Sequence, residues 1–232
     1  MEDKEIALIV GVGEGLSASL ARLCAADGMT VALAARTADK CARLAAEIGG
    51  QAYPCDASDT GAVERLFAAV TEDLGTPHLV VYNPSYRTRG PIAELDPQEV
   101  EKTLRVTAFG GFLVGQAAAR GMLKAGRGSI LFTGASASVK GYPRSAPFAM
   151  GKFALRGLAQ SMARELAPSN IHVAHFIIDG GIDKPGRAAG DERGADGRLQ
   201  PDAIAQAYLG VHRQHRSAWT WEVALRPWTE TF

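Results

Sequence analysis

Excess charge of either sign is missing from this chain. Its 25 lysines and arginines are matched by 25 aspartates and glutamates, for a formal net charge of +0. A balanced surface has no electrostatic drive toward nucleic acid or an anionic membrane, so neither is expected as a partner. Cysteine is scarce. Cys24, Cys41 and Cys55 form no C-x-x-C pair, and an odd count argues against a disulfide framework, so reduced core thiols are expected. Bilayer-length apolar runs are lacking too. The most apolar long stretch, Val106 to Ala119, is broken by Gly110, Gly111, Gly115 and Gln116 and is too short to span a membrane. The first five residues, Met1-Glu2-Asp3-Lys4-Glu5, lead straight into an apolar run without the pattern of a signal or transit peptide. A cytoplasmic location is the expectation.

What organises the chain is its opening stretch, Ile6-Ala7-Leu8-Ile9-Val10-Gly11-Val12-Gly13-Glu14-Gly15-Leu16-Ser17. Five consecutive apolar residues read as a strand buried on both faces. Three glycines follow, and then Ala18, Leu20, Ala21 and Leu23 recur with helical spacing. In a strand–turn–helix context such glycines let a backbone approach a pyrophosphate. The helix behind them aims free N–H groups and its positive dipole end at the same anion. Gly11, Gly13, Gly15 and Leu16 are therefore candidate cofactor-binding residues. A bare strand-to-helix turn is the competing reading.

Downstream, strands are expected at Thr30–Ala34, Ala52–Cys55, His78–Tyr82, Ser129–Thr133, Ile171–Ile178 and around Val223–Leu225. Between them lie helices at Ala38–Ile48, from Ser58 or Asp59, from Pro97 to about Lys124 with a possible break at Gly110-Gly111, up to Leu166, and from Pro201 to about Gln214. Strand and helix alternating on short connections predict an α/β fold: a single doubly wound Rossmann-type domain over residues 1–232, with a parallel sheet and helices on both faces. With 47% hydrophobic residues the chain can fill one such core. The polar, glycine-rich segment 179–200 follows a strand's carboxyl end, where open α/β sheets place ligands, and reads as a substrate lid loop.

A dinucleotide site of this kind carries an acidic residue about 20 positions past the glycines, on the adenosine ribose. Here the second strand ends Ala34-Ala35-Arg36. A guanidinium suits the extra 2′-phosphate of NADP, so NADP(H) is expected before NAD(H), with a solvated arginine as the alternative. Glu14 in the turn is discordant with a pyrophosphate unless it points to solvent.

At this point the chain resembles the short-chain dehydrogenase/reductase family over nearly its whole length. The likeness rests on Val10–Leu16, Cys55-Asp56, Asn83 and Lys152 with its following helix. The resemblance implies that Asp56 contacts the adenine, that Asn83 stands at the start of the family's Asn-Ala-Gly motif, and that Lys152 bonds the nicotinamide ribose. It also implies hydride transfer to or from a small carbonyl or alcohol. Departures follow. Ser17 replaces the third glycine, and the Asn-Ala-Gly reads Asn83-Pro84-Ser85. The family's proton-donating tyrosine, four before the lysine, falls on Phe148; its serine falls on Ala135 and its helix asparagine on Thr107. The tyrosine position of the divergent enoyl-reductase branch falls on Ser145. Of the usual catalytic four only Lys152 stays in place. Ser136, Ser138, Thr107 and Tyr142 are then the candidates for orienting a substrate, with Tyr142 and Tyr86 as possible replacement proton donors.

No metal site is expected. His172 and His175 lie three apart on a strand and face opposite sides, with His175 read as a hydrogen-bonded core residue. His212 and His215, three apart on a helix, read as solvated surface. Trp219, Trp221 and Trp228 crowd the tail, to pack on the chain's own core or on a second subunit. The resemblance implies a homodimer or homotetramer. Two functions remain open: an NADP(H)-dependent oxidoreductase with a degenerate catalytic tetrad, or a catalytically silent NADP(H)-binding protein acting as sensor or partner subunit.

Overall fold

The structure is a computed structural model that describes residues 4–37, 39–183, 194 and 196–231. Seven parallel strands form one sheet in the order β3-β2-β1-β4-β5-β6-β7. They are β1 (Ile6–Val10), β2 (Thr30–Ala35), β3 (Gln51–Pro54), β4 (Leu79–Tyr82), β5 (Gly128–Thr133), β6 (Ile171–Ile178) and β7 (Glu222–Leu225). The helices are α1 (Leu16–Ala26), α2 (Asp39–Ile48), α3 (Thr60–Asp73), α4 (Pro97–Leu104), α5 (Gly110–Ala125), α6 (Ala146–Leu166) and α7 (Pro201–His212). The expected doubly wound α/β architecture is observed.

Successive strand residues point to opposite faces, so β1 feeds two cores at once. Ala7 and Ile9 pack with Leu20 and Cys24 of α1, Leu44 of α2 and Tyr208 of α7. Leu8 and Val10 pack with Val63 of α3, Leu113 of α5 and Leu155 of α6 on the other side. Every residue of β1 is buried, which is why the strand reads as an unbroken apolar run rather than an alternating one. Helix starts follow local chemistry. Asp59 caps α3 through the Ala62 N–H at 2.6 Å, and Asp96 caps α4 through Gln98 N–H with Pro97 at the first position. All three cysteines are free and buried, as expected.

Three expectations change. The break in the long helix is a π-helical turn, Arg105–Phe109, placed just before the glycines, with the Tyr82 hydroxyl donating to the Val106 carbonyl. Gly110 and Gly111 serve packing instead: a side chain on Gly110 would collide with Tyr82 and Ala57, and one on Gly111 with Leu155. Second, His212 is not solvated. Its side chain is 6% exposed, with Nδ1 2.9 Å from Ser129 Oγ beneath the sheet edge, and burial pushes its pKa down to about 4. Third, β3 and β4 each end or begin one residue away from the expected bounds, at Pro54 and Leu79.

His175 is the hydrogen-bonded core residue expected of it, fully buried with Nδ1 3.2 Å from Glu222, which also takes a paired bond from Arg156 at 2.6 and 2.8 Å. Trp219 and Trp221 pack on the chain itself, on the His172 ring and the Arg156 guanidinium, whereas Trp228 is 81% exposed. Among the described residues no helix is long and apolar enough to cross a membrane.

Candidate cofactor and substrate site

Chain order reverses between β1 and β4, because β2 and β3 lie to one side and β5 to β7 to the other. At such a switch point the loops leaving two neighbouring strands diverge and open a crevice at their carboxyl ends. Gly11 leaves β1 there and Asn83 leaves β4. Asn83 donates to Ser17 Oγ at 2.7 Å, and Ser17 Oγ donates to the Gly11 carbonyl at 3.1 Å. This stitch ties the turn, the first helix and β4 together. Ser17, met in the sequence only as a missing glycine, is thus part of the frame.

The three glycines differ in why they are needed. Gly11 has φ +87, and a Cβ on it would lie 2.6 Å from the Pro84 nitrogen. Both its conformation and its contact with Pro84 demand glycine. Gly13 and Gly15 have no positive φ, and a Cβ on either would meet nothing within 4 Å. Packing at the Cβ therefore explains neither of them. Behind them α1 begins at Leu16 without a side-chain cap and without an acidic residue in its first turn, so its amino-terminal donors face the same space. Glu14 is exposed.

Two adjoining cavities follow this edge. One, of about 410 Å³, is lined by Gly11, Arg36, Lys40, Asp56, Asn83 and their neighbours. The other, of about 630 Å³, is lined by Gly13, Glu14, Arg22, Lys40, Arg43 and Glu47, and the two share Val12 and Lys40. Arg36, Asp56 and Asn83 are therefore brought together with the glycine turn. Asp56 accepts from the Ser58 hydroxyl at 2.7 Å and the Ser58 N–H at 2.9 Å. Those bonds, with Arg36 and Arg105 nearby, hold its carboxyl below the usual range against partial burial. In the second cavity Arg22 occupies Glu47 at 2.6 Å. Lys40 was overlooked in the sequence. Its signal was a lysine in the first turn of a helix, where the dipole disfavours a cation.

A third cavity, of about 760 Å³, opens beyond β5 and includes Ser136, Tyr142 and Phe148 along with Arg87 and Arg144. Ser136 and Tyr142 thus line open space, Tyr142 at 42% exposure. Thr107 and Ser138 do not, which corrects the expectation for both. Thr107 is fully buried against Gly151, and its hydroxyl accepts from the Tyr86 N–H at 3.4 Å. Ser138 accepts from the Ala135 N–H at 3.1 Å and serves the turn. Tyr86 donates to Glu99 at 2.6 Å and receives Lys102 at 3.2 Å, so its hydroxyl is committed to α4.

Lys152 lies inward. It is 2% exposed, and its Nζ donates to the Thr133 carbonyl at 2.6 Å at the end of β5. Burial, with Arg87 nearby, pushes its pKa down to about 7. Phe148, one turn earlier on α6, is 5% exposed; its ring receives the Arg87 guanidinium at 3.9 Å and has Lys152 Nζ at 5.8 Å. The lid expectation falls mostly on residues 184–193 and 195, which lie outside the described residues. The ends of that segment are joined, Asp183 N–H to Leu199 O at 2.8 Å and Leu199 N–H to Gly181 O at 3.0 Å.

A parallel sheet with a glycine turn, a bare helix start and a polar crevice at the switch point defines a Rossmann-type nucleotide-binding protein. The particular lineage is given by comparison: the chain belongs to the short-chain dehydrogenase family, whose model, described as short chain dehydrogenase, matches residues 5–188. It is 32% identical over 193 residues to the 3-oxoacyl-[acyl-carrier-protein] reductase MabA of Mycobacterium tuberculosis, spanning 83% of this chain and 75% of that one. A crystal structure of a short-chain dehydrogenase from Rhodopseudomonas palustris superposes with a TM-score of 0.84 at 37% identity, covering 97% of this chain and 99% of that one. A metagenomic short-chain oxidoreductase in complex with NADP gives 0.83 at 26% identity, covering 96% and 97%.

The glycine turn yields a stability test. Gly11→Ala should lower the melting temperature by several degrees, a loss of at least about 1 kcal/mol, because its backbone and Pro84 both exclude a methyl. Gly13→Ala should leave it unchanged or slightly raised. Thermal denaturation of the two variants checks this, and equal losses would refute the distinction.

Proposed function

We propose that the chain is an NADP(H)-dependent oxidoreductase that moves a hydride to or from a small carbonyl or alcohol, with a catalytic set reduced from that of its family. The observation that carries this reading is the crevice at the β1–β4 switch point. Gly13 there has no packing reason to be glycine, and beside it stand Arg36 just past the end of β2 and Lys40 in the first turn of α2. The solved relatives in complex with NADP and with 5-hydroxy-NADP support the same cofactor, the second an alcohol dehydrogenase from Thermococcus sibiricus at 25% identity.

Leu16 and Ser17 at the head of α1 would meet the pyrophosphate, and Arg36 with Lys40 the 2′-phosphate. Asp56 would face the adenine, and Asn83 keeps the Gly11 turn in shape. The nicotinamide, when bound, supplies or accepts the hydride. Phe148 stands where the family's tyrosine would give the proton, and a phenyl ring has none to give. Lys152, its pKa lowered by burial to about 7, is the member of the family's catalytic set that stays in place beside β5, with Ser136 and Tyr142 at the edge of the neighbouring cavity. General acid–base catalysis contributes about 10²–10⁴-fold, so a slow enzyme is the expected result of losing the donor. Phe148 also favours a second reading, a silent NADP(H)-binding sensor or partner subunit.

Fluorescence titration with NADPH and NADH separates the cofactors. NADPH should bind more tightly, and Arg36→Ala should cost NADPH alone about tenfold or more, the size of one lost charge-assisted bond. Equal losses for both cofactors would remove the role given to Arg36. A carbonyl panel then separates the two functions. Slow wild-type turnover that rises at least about tenfold in Phe148→Tyr supports the oxidoreductase. Tight NADPH binding with no turnover in either protein supports the silent binder.

The reading includes a homodimer or homotetramer in the cytoplasm. Phe112 and Leu123 of α5, at 41% and 50% exposure, flank a groove that α6 completes. Arg120 and Glu165 line the same groove, and a two-fold axis would set each against the other in a second copy. Sedimentation should show an oligomer in the wild type and monomers for Leu123→Glu; a monomeric wild type would end this part of the reading.

A further inference from the structure

The third cavity gathers three arginines against two carboxylates in a chain with no net charge. Arg87 and Arg89 come from the loop between β4 and α4, and Arg144 from the loop between β5 and α6. The two loops are joined by a hydrogen bond from the Gly90 N–H to the Arg144 carbonyl at 3.1 Å, which gathers the guanidinium groups around one opening. Like charges repel, and an arrangement of this kind calls for a reason.

Counter-charges do not supply one. Asp179, in the same cavity wall, is 7% exposed and takes Arg226 at 3.5 Å. Glu230, the other carboxylate there, has a partner of its own. Among the described residues Arg87, Arg89 and Arg144 make no salt bridge. Arg87 lies instead over the Phe148 ring, 3.9 Å from its centroid, a contact that uses the ring and not a carboxylate as its partner. Partial burial and the adjacent Arg89 both disfavour its charge. Arg144 has φ +61, a left-handed backbone uncommon for a residue with a side chain. Ser136, Ser145 and Tyr142 add hydroxyls to the same wall.

We propose that this cavity is an anion site, and that the molecule the protein acts on carries a carboxylate or phosphate held by Arg87 against Phe148, with Arg89 and Arg144 closing around it. That the bound molecule is acted on rests on the oxidoreductase reading; the anion site stands on the cavity itself. On this assignment the face of Phe148 holds the guanidinium that recognises the charged end of the ligand.

The test is calorimetric titration of the full-length protein with oxalate and, separately, inorganic phosphate, beside neutral oxamide. One or both anions should bind the wild type, weakening as sodium chloride is raised, and oxamide should not. Arg87→Gln should lower that affinity by about tenfold or more. Arg87→Lys should recover part of it, and Arg36→Gln should leave the Arg87-dependent binding intact. Whichever anion binds more tightly tells carboxylate from phosphate. Binding of neither anion overturns the proposal, as does equal binding by Arg87→Gln, or loss through Arg36→Gln alone, which would put the anion in the cofactor crevice. NADPH titration of the same variants keeps the two readings apart. Anion binding that needs Arg87 in a protein that fails to bind NADPH would end the oxidoreductase reading and leave the anion site standing.

Discussion

Everything at the carboxyl edge of the sheet depends on one close approach, that of Gly11 to Pro84. The two residues leave neighbouring strands at the point where chain order reverses, and a Cβ on Gly11 would lie 2.6 Å from the Pro84 nitrogen. Loops that diverge from a switch point would ordinarily be loose at their roots. Here the contact, with Asn83 bonded to Ser17 and Ser17 to the Gly11 carbonyl, fixes where the glycine turn begins and hence where α1 points. A helix terminus aids anion binding only within its first turn, so this alignment decides whether the turn can serve a phosphate. The proline that interrupts the family's Asn-Ala-Gly sequence is therefore part of the frame.

A formal charge of zero hides how the charge is distributed. Arg36, Lys40 and Arg43 gather beside the glycine turn, and Arg87, Arg89 and Arg144 gather beyond β5. Many of the balancing carboxylates are taken up in closed pairs, Glu47 with Arg22, Asp179 with Arg226 and Glu222 with Arg156, or as helix caps such as Asp59 and Asp96. Net charge bears on long-range behaviour toward polyanions. Over the span of one ligand the local sum matters, and at two places on this edge it is positive.

The fold was legible because its signals are local. Buried parallel strands announce themselves as apolar runs, glycines punctuate them, and Asp59, Asp96 and Pro97 mark helix starts within a few residues. Arg36 and Asp56 were legible because each sits at a fixed distance past a strand end. What escaped depended on contacts distant in sequence. His212 looked solvated because nothing near it in the chain shows that Ser129 lies above it. Thr107 looked available because a helix position does not reveal that Gly151 of another helix closes over it. Arg87 carried no signal of its own, since its significance needs the Phe148 ring beneath it. Lys152 was found by its place in a motif, but the motif did not say that its amine turns to the Thr133 carbonyl.

The consequences of Phe148 can be weighed. On the reading that it replaces the acid, it forfeits about 10²–10⁴-fold in rate, or ~3–5 kcal/mol of barrier. A cation resting on an aromatic face returns only about 0.5–2 kcal/mol, and that as structure rather than catalysis. The ring alone therefore does not offset what the hydroxyl would have given. Charge-assisted hydrogen bonds to a bound anion contribute about 1.5–3 kcal/mol each, and two of them reach the size of the loss. They accelerate a reaction only where they hold the ligand better at the transition state than before it. A guanidinium fixed in orientation by a ring is suited to that selectivity, whereas one on a mobile side chain would grip ground state and transition state alike. A tyrosine at this position would offer the arginine the same ring, so the contact accounts for an aromatic face at 148 and not for the missing hydroxyl.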